Sequence, residues 1–141
     1  MSLDTGPEIY RKHGTQPGVI EDNEIYGNVS DGVVIKEGNP TLKNNKIHDG
    51  KHVGILVSEN GRGVIEDNDI YDNAWGGIDI VGGNPIIRLN RINKNRLCAI
   101  WISGECAGTI EDNDLRNNSS GALIISKDSK FLGISSRNLE K

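Results

Sequence analysis

The chain has 141 residues, a formal net charge of −4, 18 glycines and only 4% aromatic residues. This composition suits one domain with a thin aliphatic core, and the acidic balance argues against nucleic-acid binding, which needs a basic face. No apolar run has membrane length, no signal-peptide pattern opens the chain, and two cysteines do not form a disulfide framework. We therefore expect an intracellular protein with free thiols and no membrane partner.

An asparagine recurs along the chain at intervals of 22 or 23 residues. Its copies are Asn23, Asn45, Asn68, Asn90 and Asn113. A fixed period of this length is typical of a solenoid, in which one repeat cannot bury its apolar face alone. We expect the asparagines to lie at a bend, where their amides can bond one another from repeat to repeat.

Four sets of aliphatic residues share this period. They are Ile20, Leu42, Ile65, Ile87 and Ile110; Ile25, Ile47, Ile70, Ile92 and Leu115; Val33, Ile55, Ile78, Ile100 and Ala122; and Ile35, Val57, Ile80, Ile102 and Ile124. Apolar and polar residues alternate within each repeat, which indicates short strands. The pattern predicts an all-β fold, a single-stranded parallel β-helix of about five coils over residues 18–126. Residues 1–17 are predicted to form an N-terminal partial coil or cap, and residues 127–141 a C-terminal cap or tail.

Charged residues alternate in sign along two predicted outward columns. These columns are Glu21, Lys43, Glu66, Arg88 and Glu111, and Glu24, Lys46, Asp69, Arg91 and Asp114. A slip by one coil would place like charges side by side, so the alternation favours one register. Two further columns are expected at bends: Asn28, Gly50, Asn73, Asn95 and Asn118, and Gly32, Gly54, Gly77 and Gly121.

The repeat units at 63–73 and 39–51 resemble the right-handed β-helix repeats of the carbohydrate-binding and sugar-hydrolase (CASH) type. In particular, they are similar to the β-helix region of F-box-only ubiquitin-ligase substrate receptors. The resemblance covers roughly residues 18–126 and implies right-handed winding. It also implies that the β-helix serves as a platform for protein recognition, as it would in those receptors.

One predicted outward column is mostly apolar and is the first candidate for binding. It contains Val34, Leu56, Asp79, Trp101 and Leu123, and Trp75 is expected at its edge. It is either an ordinary strand face or a flat strip for a peptide or sugar, with Trp101 as the anchor. A second column, Tyr26, His48, Tyr71, Asn93 and Arg116, is either a ligand surface or a stacked surface ladder.

Catalytic and metal-binding chemistry has weaker support in the sequence. The alternating charges place bases beside acids, and only Asp79 escapes this pairing, without an obvious partner. His48 and His52 have the spacing of helical metal ligands but do not lie on a helix, so we expect no metal and no cofactor.

The sequence thus favours a non-catalytic module that binds a protein or a glycan. The alternatives are a polysaccharide-acting enzyme and a structural or assembly solenoid, and we expect self-association through a side face or the helix ends.

Overall fold

The computed structural model of the chain describes residues 8–10 and 18–141, and the regular secondary structure in them is entirely β. The strands, in chain order, are β1 (Glu8–Tyr10), β2 (Val19–Glu21), β3 (Glu24–Tyr26), β4 (Val33–Lys36), β5 (Thr41–Lys43), β6 (Lys46–His48), β7 (Ile55–Ser58), β8 (Val64–Glu66), β9 (Asp69–Tyr71), β10 (Ile78–Val81), β11 (Ile86–Arg88), β12 (Arg91–Asn93), β13 (Cys98–Ser103), β14 (Glu105–Cys106), β15 (Thr109–Glu111), β16 (Gly121–Ile125), β17 (Lys130–Phe131) and β18 (Ile134–Ser136). The described residues contain no helix long and apolar enough to cross a membrane.

The strands form parallel sheets that run along the solenoid axis. Sheet 1 has the order β1-β4-β7-β10-β13-β16, sheet 2 has the order β18-β15-β11-β8-β5-β2, and sheet 3 has the order β12-β9-β6-β3. A short fourth pair joins β14 to β17. Every pairing is with the strand one coil away, which confirms the predicted parallel β-helix of about five coils. Apart from β1, the predicted N-terminal cap lies outside the described residues.

The core is a column of aliphatic side chains enclosed by the three sheets. Of the twenty predicted inward positions, 18 belong to the buried cluster, and Ile20 packs partly against it. The central residues Ile65, Ile78 and Ile80 are completely buried. At about 1.5–3 kcal/mol for each fully buried aliphatic side chain, burial of this column is the main stabilising contribution.

The first bend of each coil combines a left-handed residue with a buried asparagine. Asn68 donates its side-chain amide to Asn90 Oδ1 at 3.0 Å and to the Leu42 carbonyl at 3.0 Å. Its own Oδ1 accepts from Asn45 of the preceding coil. The residue before each ladder asparagine has a positive φ, which asparagine and aspartate adopt more readily than other residues with a side chain. These residues are Asp22, Asn44, Asp67, Leu89, Asp112 and Arg137, with φ between 54° and 59°.

The second bend carries a similar ladder, which confirms the predicted looser column. Asn73 donates to Asn95 Oδ1 at 3.0 Å, and Asn95 donates to Asn118 Oδ1 at the same distance. Gly50 interrupts the side-chain ladder, but its backbone N–H still donates to Asn73 Oδ1. Buried amides that bond in both directions satisfy each other's polar atoms, so these bends are fixed in position.

The charge columns have the predicted register. Lys43 pairs in sheet 2 with Glu21 on one side and Glu66 on the other, and Arg88 continues the column beside Glu66. Arg88 forms an ion pair with Glu66 at 3.1 Å. Ion pairs near the protein surface add little stability individually, so we attribute their effect mainly to register.

The C-terminal segment, predicted to be a cap or tail, continues the solenoid. Here β17 and β18 extend the sheets, and Asn138 accepts from Asn113 to lengthen the first ladder by one coil. Leu132 and Leu139 remain more than half exposed. The next inward register position in sheet 2 is occupied by Ser135, beside Ile110. A polar residue therefore ends the aliphatic column at this position of the partial sixth coil.

Candidate binding groove

The predicted outward column of sheet 1 exists, but it is less exposed than expected. Val34 pairs with Leu56, Leu56 with Asp79, and Asp79 with Trp101. Val34 is buried, with 7% of its surface exposed, because β1 pairs with β4 and removes Val34 from the sheet edge. Leu56, Asp79 and Trp101 are half-buried. The column is therefore the side of a groove rather than a flat strip.

The placement of Leu123 in this column was wrong. Leu123 pairs with the inward Ile100 and packs against the core, whereas Ile124 lies beside Trp101. The second-bend asparagine sets this register, since Asn118 precedes Leu123 by the same five positions that separate Asn95 from Ile100. The predicted inward role of Ile124 is corrected with it. Ala122 lies in the core as predicted, but Leu123 and not Ala122 takes the predicted place beside Ile100.

A second column faces the first and forms the other side of the groove. His52, Trp75 and Leu97 each lie two positions after a residue of the second-bend column. Backbone hydrogen bonds from Trp75 N–H to the His52 carbonyl and from Leu97 N–H to the Trp75 carbonyl join them. The rings of His52 and Trp75 are stacked, with centroids 4.7 Å apart and planes at 12°. Trp75, predicted at the edge of the first column, lies on the facing side of the groove.

The two columns enclose a cavity of about 260 Å³. It is lined by Trp75, Gly76, Asp79, Leu97, Cys98 and Trp101. Gly76 leaves the space open because it has no side chain, and an added Cβ would lie 3.3 Å from Asp79 Oδ1 and 3.2 Å from the Cys98 carbonyl. We call this cavity the Trp groove. Both tryptophans of the chain line it.

The carboxyl group that lines the Trp groove, Asp79, interacts electrostatically with a second carboxyl group outside the lining, Asp31. Burial, together with the nearby Asp31 carboxylate, raises the pKa of Asp79 to about 6. Burial also raises the pKa of Asp31, although a hydrogen bond from the Val53 N–H at 3.3 Å and the proximity of His52 oppose this effect. Since Asp31 precedes β4 and Asp79 lies in β10, only the coiling brings them into electrostatic contact. Burial further raises the pKa of Cys98 to about 11, so its thiol stays protonated near neutral pH.

The second predicted surface column is a stacked ladder over three coils. His48 lies between Tyr26 and Tyr71, with ring centroids 5.4 Å and 4.7 Å away. Its Nε2 bonds Glu24 at 2.7 Å and its Nδ1 bonds Asp49. Burial lowers the pKa of His48, but these two carboxylates outweigh burial and raise it. The ladder ends beyond Tyr71, because Asn93 is buried and Arg116 pairs with Asp114.

Other depressions are larger but less suited to a ligand. One of about 470 Å³ lies over the first bend, and one of about 500 Å³ lies at the turns that lead from sheet 1 to sheet 2. Both are lined largely by charged and amide side chains, several of them in the ladders described above. The described residues contain no cluster of three or more His, Cys, Asp or Glu that could hold a metal ion. The Trp groove is therefore the best candidate site, since it combines apolar walls with a few polar groups.

The fold and the groove together define a β-solenoid with a lateral cleft between two stacked columns. The chain belongs to the right-handed β-helix family, whose model for a right-handed beta helix region matches residues 4–138. No curated protein matches the chain, and no solved structure matches it. The family match gives the architecture, and the ligand has to be inferred from the groove.

Sequence reasoning identified one side of the groove and missed most of the other. Asp79, Trp101 and Leu56 were found because they share a column between two inward aliphatics. Asp31, His52, Gly76, Leu97 and Cys98 were not assigned to the groove, although His52, Trp75 and Leu97 share the same 22–23-residue period. Continuing the register from the second-bend asparagines would have placed them opposite that column.

Proposed function

We propose that this chain is a glycan-binding module and that the Trp groove is its contact surface. The observation that carries this proposal is the position of two indole rings on opposite sides of the groove, with the half-buried Asp79 carboxyl group beside Trp101. The C–H face of a sugar ring packs well against an indole, and sugar hydroxyls can donate to a carboxylate. The resemblance of the repeats to the CASH type also supports a sugar ligand.

The geometry of the solenoid favours an elongated ligand. Trp75 and Trp101 belong to successive coils, so the groove runs along the axis across neighbouring coils. Leu56 and Ile124 continue the same side before and after it. A chain of sugar units could therefore extend beyond the cavity, whose volume of about 260 Å³ suits a single ring.

A glycan array followed by isothermal titration calorimetry tests the proposal. Trp101→Ala and Trp75→Ala should each abolish or strongly weaken binding of any glycan that the wild type retains. Tyr26→Ala is the matched control, because Tyr26 is an exposed aromatic residue on sheet 3, outside the groove. Loss of binding in Tyr26→Ala with retention in both tryptophan variants would move the site to the Tyr26–His48–Tyr71 ladder. Binding of peptides and of no glycan would replace the proposal with the protein-recognition role that the resemblance to F-box-only receptors implies.

A polysaccharide-acting enzyme is the second candidate function. It is favoured by the raised pKa of Asp79, about 6, which keeps part of this carboxyl group protonated near neutral pH, as a general acid requires. It ranks second because Asp79 is the one carboxyl group among the described residues that line the cavity, whereas glycoside hydrolysis by paired carboxyl groups needs two. Release of reducing ends or unsaturated products that disappears in Asp79→Asn would make the enzyme the first candidate.

A further inference from the structure

The Trp groove is acidic as well as aromatic. Asp79 lies on one side of the cavity, and Asp31 is close enough to affect its ionisation. Among the described residues, those that line the cavity include no lysine or arginine. Of the described residues, His52 is the only basic side chain that influences the pair, through Asp31. The electrostatic field in the groove therefore favours a positively charged ligand over a neutral or negatively charged one.

The aromatic walls favour the same sign of charge. The face of an indole ring carries a negative quadrupole and attracts ammonium groups, most strongly among the aromatic side chains. Trp75 is half exposed at the rim and Trp101 is half-buried on the facing column. A cation between them would meet two indoles and the Asp79 carboxylate without displacing another protein cation from the cavity.

From these observations we propose that the Trp groove selects an amino sugar, a glycan ring with a free protonated amine directed towards Asp79. This inference rests on the proposed glycan-binding function and narrows it to one class of sugar. N-acetylation would remove the charge that Asp79 and Asp31 attract. A uronic acid would add a carboxylate that both groups repel.

Ionisation of the pair should be linked to binding. The side chains of Cys98 of β13 and Leu56 of β7 lie beside Asp79. The Asp31 carboxylate, from the segment before β4, raises the pKa of Asp79, and His52 in turn lowers the pKa of Asp31. Cys98 stays neutral and Leu56 is apolar, so Asp31 and Asp79 supply the negative charge. A bound ammonium group stabilises their ionised forms, so its affinity should rise as the pH increases through the pKa of Asp79, about 6, and fall again once the amine of the ligand loses its own proton.

Intrinsic fluorescence is a suitable readout, because the only two tryptophans of the chain lie in the groove. The three probes are the hexasaccharide of β-1,4-linked glucosamine, its fully N-acetylated form and a hexamer of galacturonic acid. We expect the glucosamine hexamer to bind about tenfold or more tightly than the N-acetylated form, and the galacturonate hexamer to bind most weakly. In Asp79→Asn this preference should largely disappear, whereas Asp67→Asn, an exposed carboxyl outside the cavity, should retain it.

The outcomes separate this inference from the proposed function. Equal or tighter binding of the N-acetylated or galacturonate hexamer would overturn the amino-sugar inference and leave glycan binding intact. An unchanged preference in Asp79→Asn would also overturn it, because the carboxylate would then not be the selecting group. Failure of every glycan to bind, with binding of a lysine-rich peptide instead, would overturn both the glycan function and the inference.

Discussion

Replacing Asp79 with asparagine should stabilise the protein at neutral pH. The pKa of Asp79 is raised from 3.8 to about 6, so the native state holds the proton up to a higher pH than the unfolded chain does. Between these two values the unfolded state binds fewer protons, and stability falls as the pH rises. Above about pH 6 the whole cost of ionising a half-buried carboxyl is present. Asparagine has a similar shape and no charge, so it avoids this cost.

The magnitude follows from the change in pKa. At about 1.4 kcal/mol per pH unit, the difference between 3.8 and about 6 corresponds to at most about 3 kcal/mol. Solvent screens a half-buried group, so we expect Asp79→Asn to raise the free energy of unfolding by about 1–2 kcal/mol at pH 7. At about pH 3.5 the carboxyl is mostly protonated in both states, and the difference should nearly vanish.

Urea denaturation of the wild type and Asp79→Asn at both pH values measures this difference. Asp67→Asn is the control, because Asp67 is exposed and its φ of 56° suits asparagine equally well. We expect the control to change stability by less than about 0.5 kcal/mol at either pH. A similar gain for Asp79→Asn at both pH values would show that ionisation is not its cause. A loss of stability at pH 7 would show that the native structure stabilises the carboxylate, and the electrostatic description of the groove would be wrong.

Three further predictions concern the scaffold. Leu89 is exposed and has a φ of 58°, a left-handed conformation that costs a residue with a side chain roughly 1–2 kcal/mol. Asparagine adopts this conformation more readily than leucine or alanine, so Leu89→Asn should raise the melting temperature whereas Leu89→Ala should not. Asn68→Ala should lower the free energy of unfolding in urea by at least about 2 kcal/mol, because it removes the acceptor of the buried Asn45 backbone N–H and the side-chain donor to the Leu42 carbonyl. A change below about 0.5 kcal/mol would contradict a structural role for the ladder. The pKa of His48 is raised, so its contribution to stability should be complete below about pH 6.5 and lost as the pH rises through its native pKa. The melting temperature of the wild type relative to His48→Gln should therefore fall from about pH 6 to about pH 9, and a constant difference would contradict this interpretation.

The sequence predicted the repeating parts of the fold because each coil presents the same pattern to the same neighbours. Ile65 pairs with Ile87, and Glu66 pairs with Arg88 of the next coil. If the strands slipped by one coil, Glu66 would lie beside Glu111 instead, and the repulsion between the two carboxylates disfavours that alignment. The last coils were harder. Leu123 and Ala122 are both apolar, so hydrophobic alternation alone could not fix their register, and the position of Asn118 decides it.

The rest of the site depended on relations between coils that a linear pattern does not show. Asp31 and Asp79 are 48 positions apart in the chain and approach one another only because the coils stack. The sixth coil escaped detection because Ser135 replaces an aliphatic residue at an inward position. Asn138 was the remaining signal of that coil, since it lies 25 residues after Asn113 and extends the ladder.

The alternating charge columns determine how this scaffold can be lengthened or shortened. Adjacent coils carry opposite signs at equivalent positions, as in Lys43 between Glu21 and Glu66, so the structural unit is a pair of coils. The segments that begin at Gly18, Gly63 and Gly108 follow one another at intervals of 45 residues. If one such interval of two coils were deleted, the coils on either side would still pair opposite charges and would keep the asparagine ladders in line. If a single coil were deleted, like charges would become neighbours in both charge columns, in sheet 2 and in sheet 3. The molecule is thus modular in steps of two coils, and a designed extension should add coils in pairs.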